Sequence, residues 1–382
     1  MGTSVGTGLL EAVAGIGPVI REHRDEAEAG RRISPAVLEA MRGAGLFRML
    51  LPRSLGGLEL DLPEFTRVTE AVARHDSAAA WVLQAASFGD WWAARLPDEG
   101  AEEIFGSGPD ALSAAAFHPP VAGEAVRGGF RLTGRRKLAS TIHDSDWLLL
   151  TAVAGEQAVG AIMRADEAQV FDTWDSLGMR GTDSQDVAVE GVFVPERRTF
   201  PLMPAFRPGS HYGGPLYRIS AMAITSAFAG ALAVGIAREA IESLRLLAPG
   251  KTNLGSTRPQ SGRTVVQARL GRAEGIVRAA RALLYETLEE SARRAEAGAV
   301  PTLAERAGDL LAGVHAVQAA VEAVDLVYGV CGSSAIYSGS PVERHFRDIQ
   351  TVRHHGFVCD SRLEAVGQVM LGAELEFGFV AF

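Results

Sequence analysis

Arg347-Asp348-Ile349-Gln350-Thr351-Val352-Arg353-His354-His355 is the stretch on which the reading of this chain rests. It joins a basic–acidic pair to two adjacent histidines, and no Glu lies between Asp348 and Glu364. An imidazole near neutral pH can accept a phenolic proton, and small changes of environment retune it. Continued as a helix, the stretch would turn successive side chains about 100° apart. His354 and His355 are therefore not expected to face one pocket.

Working outward, the bulk numbers describe an ordinary folded chain. With 382 residues, 47% hydrophobic and 22% charged, it is long enough to bury a large core. The net charge of −9 argues against a nucleic-acid surface, because phosphate contacts reward a basic face. Only Lys137 and Lys251 are lysines, which reads as a coding bias. Cys331 and Cys359 are expected to stay reduced in a cytosolic setting. Apolar windows such as 221–237 are expected to fall short of a membrane span, and no basic, then apolar, leader is seen. The expectation is a cytoplasmic protein.

Periodicity divides the chain in three. Residues 8 to about 106 read as helices: Leu9, Val13, Ile16 and Ile20 mark one face, and Ser34-Pro35 reads as an N-cap with proline in the first turn. Leu62-Pro63-Glu64 opens a helix expected to carry Phe65, Val68, Val72 and Ala79. After Gly106 come short β-rich runs at 130–134, 147–153, 158–163 and 186–194. Long Ala/Leu/Arg-rich helices return at about 219–247, 262–297, 302–331 and 359–378, with Leu270, Ile276, Val277, Leu283, Leu284 and Leu288 read as a buried stripe. The boundaries fall at 1–108, 109–215 and 216–382.

This order, with Leu51-Pro52-Arg53-Ser54-Leu55-Gly56-Gly57, Gly178-Met179-Arg180-Gly181-Thr182-Asp183-Ser184 and the Arg347-Asp348 pair, resembles the acyl-CoA dehydrogenase superfamily over essentially the whole chain. The resemblance implies an α+β fold: an N-terminal helical domain, a central β-barrel-like domain and a C-terminal four-helix bundle. In dehydrogenases of that fold, a Glu about this far past the Arg-Asp pair often removes the substrate α-proton. A His there, as at His355, instead resembles the flavin-dependent two-component monooxygenases, of the 4-hydroxyphenylacetate hydroxylase and dibenzothiophene monooxygenase type.

The resemblance also implies site residues. Gly134 to Ser140 resembles the segment lining the flavin near N5, where a small hydroxyl donates without blocking the ring. Relatives often have Trp where Arg136 stands and Ser-Gly where Ser140-Thr141 stands. Ser113 matches another pocket hydroxyl. Trp174 is read as a flavin wall or a core anchor. Arg258 and Arg263 are candidate phosphate ligands, since the guanidinium fork suits phosphate. Gly332 and Ser333 form a turn whose amides could approach the flavin. Trp81, Phe88, Trp91 and Trp92 on the N-terminal helices point either to an aromatic or apolar substrate, with Trp91 a candidate contact, or to a core or subunit interface. No metal-ligand spacing, Walker loop or dinucleotide fingerprint is present.

The implied function is an oxygenase component that uses O2 and reduced FMN or FAD delivered by a separate NAD(P)H:flavin reductase, with His355 as the catalytic residue that deprotonates or orients the substrate or hydrogen-bonds the peroxide, Ser140 as the one that positions flavin N5, and a homotetrameric assembly. Two competing readings are an acyl-CoA dehydrogenase with a displaced base, Glu242 or Glu364, and a catalytically silent oligomeric binding protein.

Overall fold

A computed structural model describes residues 5–106, 108–202 and 209–381. Among them the helices are α1 (Val5–Glu22), α2 (Arg24–Gly30), α3 (Pro35–Gly43), α4 (Leu62–Ala73), α5 (Ser77–Ala93), α6 (Asp98–Phe105), α7 (Ala221–Leu247), α8 (Thr264–Glu296), α9 (Leu303–Cys331), α10 (Pro341–Val352) and α11 (Arg362–Leu371). The strands are β1 (Ser113–Val126), β2 (Gly129–Ala139), β3 (Trp147–Ala154), β4 (Gln157–Arg164), β5 (Gln169–Phe171), β6 (Gln185–Pro195) and β7 (Thr199–Pro201). The chain divides into two compact units. The first comprises Met1–Asp61, Trp81–Asp175 and Arg180–Tyr217; the second comprises Leu62–Ala80, Ser176–Met179 and Arg218–Phe382.

The first unit is built on a seven-stranded mixed sheet of order β5-β6-β2-β1-β3-β4-β7. β1 pairs antiparallel with β2 and parallel with β3. Alternation along β2 buries Leu132, Arg136 and Ala139, and β3 is buried along most of its length. The inward residues Leu132, Leu148, Leu150, Met163, Val187 and Val194 form one apolar core. Between Arg136/Val187 and Ala139/Gln185 the ladder gains one extra residue on β2, with Leu138 at φ 65°. Such a bulge bends the strand and re-aims the residues that follow it; here the residue that follows is Ser140. Ser34 caps α3 by accepting the Val37 amide, as its sequence predicts.

The second unit is helical. α7 is buried along most of its length, and α8 buries one stripe: Val266, Ala273, Val277, Ala280, Leu284 and Leu288. That stripe corrects the expected one, since Leu283 points outward. Two segments, Ala221–Gly250 and Leu303–Ile336, pass a membrane-span test by length and composition, contrary to expectation; their apolar windows are 94% and 67% buried, as in core helices. The expected long helix from Leu62 is two helices. Asp76 ends the first turn of chain after α4 and accepts the Ala79 amide at 2.7 Å, so Ala79 belongs to α5. Likewise the expected helix over 359–378 is the shorter α11.

One polar cluster is sealed among these helices. Glu70 of α4, almost fully buried, accepts from Arg281 Nε at 2.9 Å and from Tyr285 Oη at 2.7 Å. Removing the charge leaves a half-buried guanidinium and a buried phenol without their anionic acceptor. Glu70→Gln is expected to destabilise the protein by about 1–2 kcal/mol, measured as a lower urea midpoint with an unchanged slope.

Candidate active site

In the first unit, the loop after β2 carries a chain of hydroxyls. Trp81 Nε1–H donates to Ser140 Oγ at 2.9 Å, Ser140 Oγ lies 2.8 Å from Ser184 Oγ, and Ser184 Oγ lies 2.7 Å from Thr182 Oγ1. Ser140, Ser184 and Thr182 are all buried. Two left-handed residues shape the crossing of the two loops, Thr141 at φ 60° and Asp183 at φ 49°. The Thr141 amide donates to Thr182 O, and the His143 amide donates to Asp183 Oδ2, both at 2.9 Å. His143 Nδ1 also lies 2.8 Å from Asp183 Oδ1. Gln185 extends the lock: its Oε1 accepts the Thr173 and Trp174 amides, and its Nε2 donates to Asp183 Oδ1.

Trp174 is half-buried, with Nε1–H donating to Arg180 O at 3.0 Å. Arg180 bonds the Asp175 carboxylate at 3.0 Å. Ser113 begins β1 and is buried against Gly89, where an added Cβ would sit 2.4 Å from the Ser113 Cβ. Trp91 requires a correction. It is fully buried, Arg95 lies 4.2 Å over its ring, and its Nε1–H donates to Leu216 O. An indole so packed and paired is a core residue. Trp81, only partly buried, is the tryptophan that reaches Ser140.

In the second unit, α10 carries the Arg347-Asp348 pair and ends at Val352. His354 and His355 therefore lie in the turn that follows, not on a helix as the sequence reading assumed. Asp348, buried, accepts the Met179 amide at 2.6 Å and the Ser77 hydroxyl. Burial, opposed by those two bonds, pushes its carboxyl up to about 6. Arg347 forks onto Glu343 and donates to Leu177 O at 3.0 Å. A Cβ on Gly178 would lie 2.3 Å from Arg347 O, so only glycine lets the 176–179 segment approach α10 this closely. The Arg-Asp pair thus clamps a turn whose next residue, Met179, sits at φ 57°.

His355 is partly covered, with its ring 5.7 Å from that of Phe357, which packs in turn on Phe379. Loss of water around the ring pushes the imidazole down to about 4. It is neutral at physiological pH and able to accept a proton. Asp360, a carboxylate within reach along the chain, is engaged by Arg353 and Gln318.

The remaining predicted residues gather at one corner of the second unit. Gln260 donates to Val330 O at 3.1 Å, and Lys251 Nζ donates to Cys331 O and Ser334 Oγ. These bonds bring the 250–263 connection, with exposed Arg258 and half-buried Arg263, to the turn at Gly332 and Ser333. Gly332 adopts φ 63°, ψ −160°, a conformation other residues avoid. Cys331 and Cys359 are free thiols.

The sequence reading did not find Trp81's bond to Ser140, Thr182, Ser184, the His143–Asp183 pair or Lys251. The signal available was the cluster of hydroxyl and carboxylate side chains in Thr182-Asp183-Ser184.

Residues 14–94 match the family model "Acyl-CoA dehydrogenase, N-terminal domain" and residues 227–359 match "Acyl-CoA dehydrogenase, C-terminal domain". The chain belongs to the acyl-CoA dehydrogenase superfamily, and within it to the flavin-dependent monooxygenases. It is 31% identical over 366 residues to the indole-3-acetate monooxygenase of Pseudomonas putida, covering 92% of each chain. It is 27% identical to the oxygenase component of the FADH2-dependent resorcinol hydroxylase of a Rhizobium species, covering 96% of this chain and 94% of that one. Among solved structures it resembles XiaF from a Streptomyces species in complex with FADH2 and glycerol, at 23% identity and a TM-score of 0.90, over 97% of each chain.

Proposed function

We propose that the protein is the oxygenase component of a two-component system, taking reduced FMN or FAD from a separate reductase and using O2 to oxygenate a small aromatic or apolar substrate. The observation that carries this reading is His355: where a dehydrogenase of this fold needs a carboxylate base, this chain presents an imidazole kept neutral by its surroundings. Membership among monooxygenases whose relatives include an indole-3-acetate and a resorcinol enzyme supports an aromatic substrate.

Each unit carries donors that fit a part of a flavin nucleotide. Bound reduced flavin supplies the two electrons with which one oxygen atom of O2 enters substrate and the other leaves as water. In the first unit Ser140 would offer its hydroxyl to the polar edge of the ring, and Trp174 would wall it. Arg258 and Arg263, with the amides of Gly332 and Ser333, offer cations and N–H donors to a phosphate. His355 orients a substrate hydroxyl or N–H and takes its proton; Ser113 supplies a further hydroxyl to substrate. Assembly as a homotetramer is supported by apolar side chains left exposed in the second unit, among them Leu254, Ile336, Tyr337, Met370 and Leu371. The setting is cytoplasmic.

The dehydrogenase reading has less support. Glu242 is engaged by Arg245, which holds its carboxyl below the usual range, and Glu364 is exposed on α11. The test is to supply the protein with reduced FMN or FAD, O2 and a panel of phenols and indole acids, following O2 uptake and product. Product formed with reduced flavin supports the proposal. Rapid reduction of bound oxidised flavin by an acyl-CoA would overturn it, as would no binding of flavin in either redox state.

A further inference from the structure

Trp81 and the hydroxyls behind Ser140 have a joint consequence. An indole N–H is a donor only, so at 2.9 Å from Ser140 Oγ it occupies a lone pair of that oxygen. The neighbouring contact, Ser140 to Ser184 at 2.8 Å, can be made with either oxygen as donor, and so can Ser184 to Thr182 at 2.7 Å. Two proton arrangements therefore satisfy the chain. In one, Ser140 donates to Ser184 and Ser184 donates to Thr182. In the other, Thr182 donates to Ser184 and Ser184 to Ser140, which then accepts twice and has its own proton left over. The atoms need not move between the two; only hydroxyl rotations differ.

We infer that Trp81, Ser184 and Thr182 are positioning residues that aim the Ser140 proton at an acceptor atom of a bound ligand, Trp81 by fixing the accepting side of the oxygen and the two hydroxyls by reversing their donor direction when the ligand arrives. The inference rests on the reading of Ser140 as a flavin contact and adds what makes that serine a donor. Chains of this kind polarise one another, so Ser140 accepting twice is a stronger donor than an isolated serine. Buried in a loop locked by Thr141 and Asp183, the serine has few alternative directions. Without the indole N–H, Ser140 can turn its lone pairs toward the ligand and keep its proton on Ser184.

The test combines one measurement on the free protein with one on the loaded protein. In free protein labelled with ¹⁵N at tryptophan, the Trp81 indole proton should move upfield and exchange faster in Ser140→Ala, while Ser140→Thr keeps the wild-type signature. For reduced FMN and FAD, Trp81→Phe should weaken binding about fivefold, the worth of one neutral hydrogen bond, and raise the O2 consumed per product. In a Ser140→Ala background the same Trp81→Phe change should have no further effect. Additive losses would overturn the inference while leaving Ser140 as a flavin contact. An unaltered indole signal in Ser140→Ala would overturn it too. If Ser140→Ala leaves flavin affinity and coupling as in the wild type, both the assignment of Ser140 and this inference fall. Should Trp81→Phe not fold, Ser184→Ala serves in its place, with the same requirement that its effect vanish without Ser140.

Discussion

Replacing His355 by alanine is expected to cut the rate of product formation by roughly 100-fold, the lower end of what a positioned acid–base group contributes. Flavin affinity and the thermal midpoint at neutral pH should change little. Desolvation beside Phe357 holds the imidazole at about 4, so above that value it is neutral while phenols are still protonated. The same shift carries a sign for stability. In the unfolded chain the ring protonates near 6.5, whereas in the fold it resists protonation down to about 4. Its contribution is therefore present above pH 6.5 and lost as pH falls through about 4. The alanine variant should lose less stability than wild type over that acid interval. Equal product rates in wild type and variant, measured with reduced flavin supplied chemically, would remove His355 from the mechanism.

The second large effect is structural. Asp348→Ala should destabilise the protein by about 3 kcal/mol, because two good hydrogen bonds to a buried carboxyl disappear and the Met179 amide is left without its acceptor. Asp348→Asn keeps an oxygen for Met179 and should cost much less. The pH dependence runs opposite to that of His355. The folded carboxyl titrates at about 6 against an ordinary 3.8, so its favourable contribution is complete below 3.8 and lost as pH rises through about 6. An asparagine cannot ionise, so the gap between wild type and Asp348→Asn should shift in favour of the variant as pH rises across that window. Urea midpoints at pH 4, 5, 6 and 7 measure this directly; parallel curves would show that Asp348 is not the titrating group.

How far the sequence carried the reading follows from the range of each interaction. The long helices and four of the strands were legible because their periodicity is local. β1 was missed: Ser113-Ala114-Ala115-Ala116 is helix-favouring composition, and Pro119-Pro120 interrupts it, yet pairing with β2 and β3 makes it a strand. α10 ends at Val352 although no glycine or proline follows until Gly356, so nothing local forecast that His355 would sit in a turn. Within the candidate site, Ser140 was visible as a residue type in a familiar segment. Its partners Trp81 and Ser184 lie 59 and 44 positions away, and no period in a chain encodes such a meeting. The turn at Gly332 was legible, whereas the ammonium that ties it to the 251–263 connection was dismissed along with the general scarcity of lysine.

That scarcity has a practical side. Of two primary amines on side chains, one is occupied by Cys331 O and Ser334 Oγ, and the other, Lys137, stands exposed three residues before Ser140. Among side-chain amines, acylating reagents, immobilisation resins and lysine-directed cross-linkers are thereby steered to Lys137 beside the hydroxyl loop, so a dye coupled after the α-amine is blocked would be a near-site-specific reporter without any engineered cysteine.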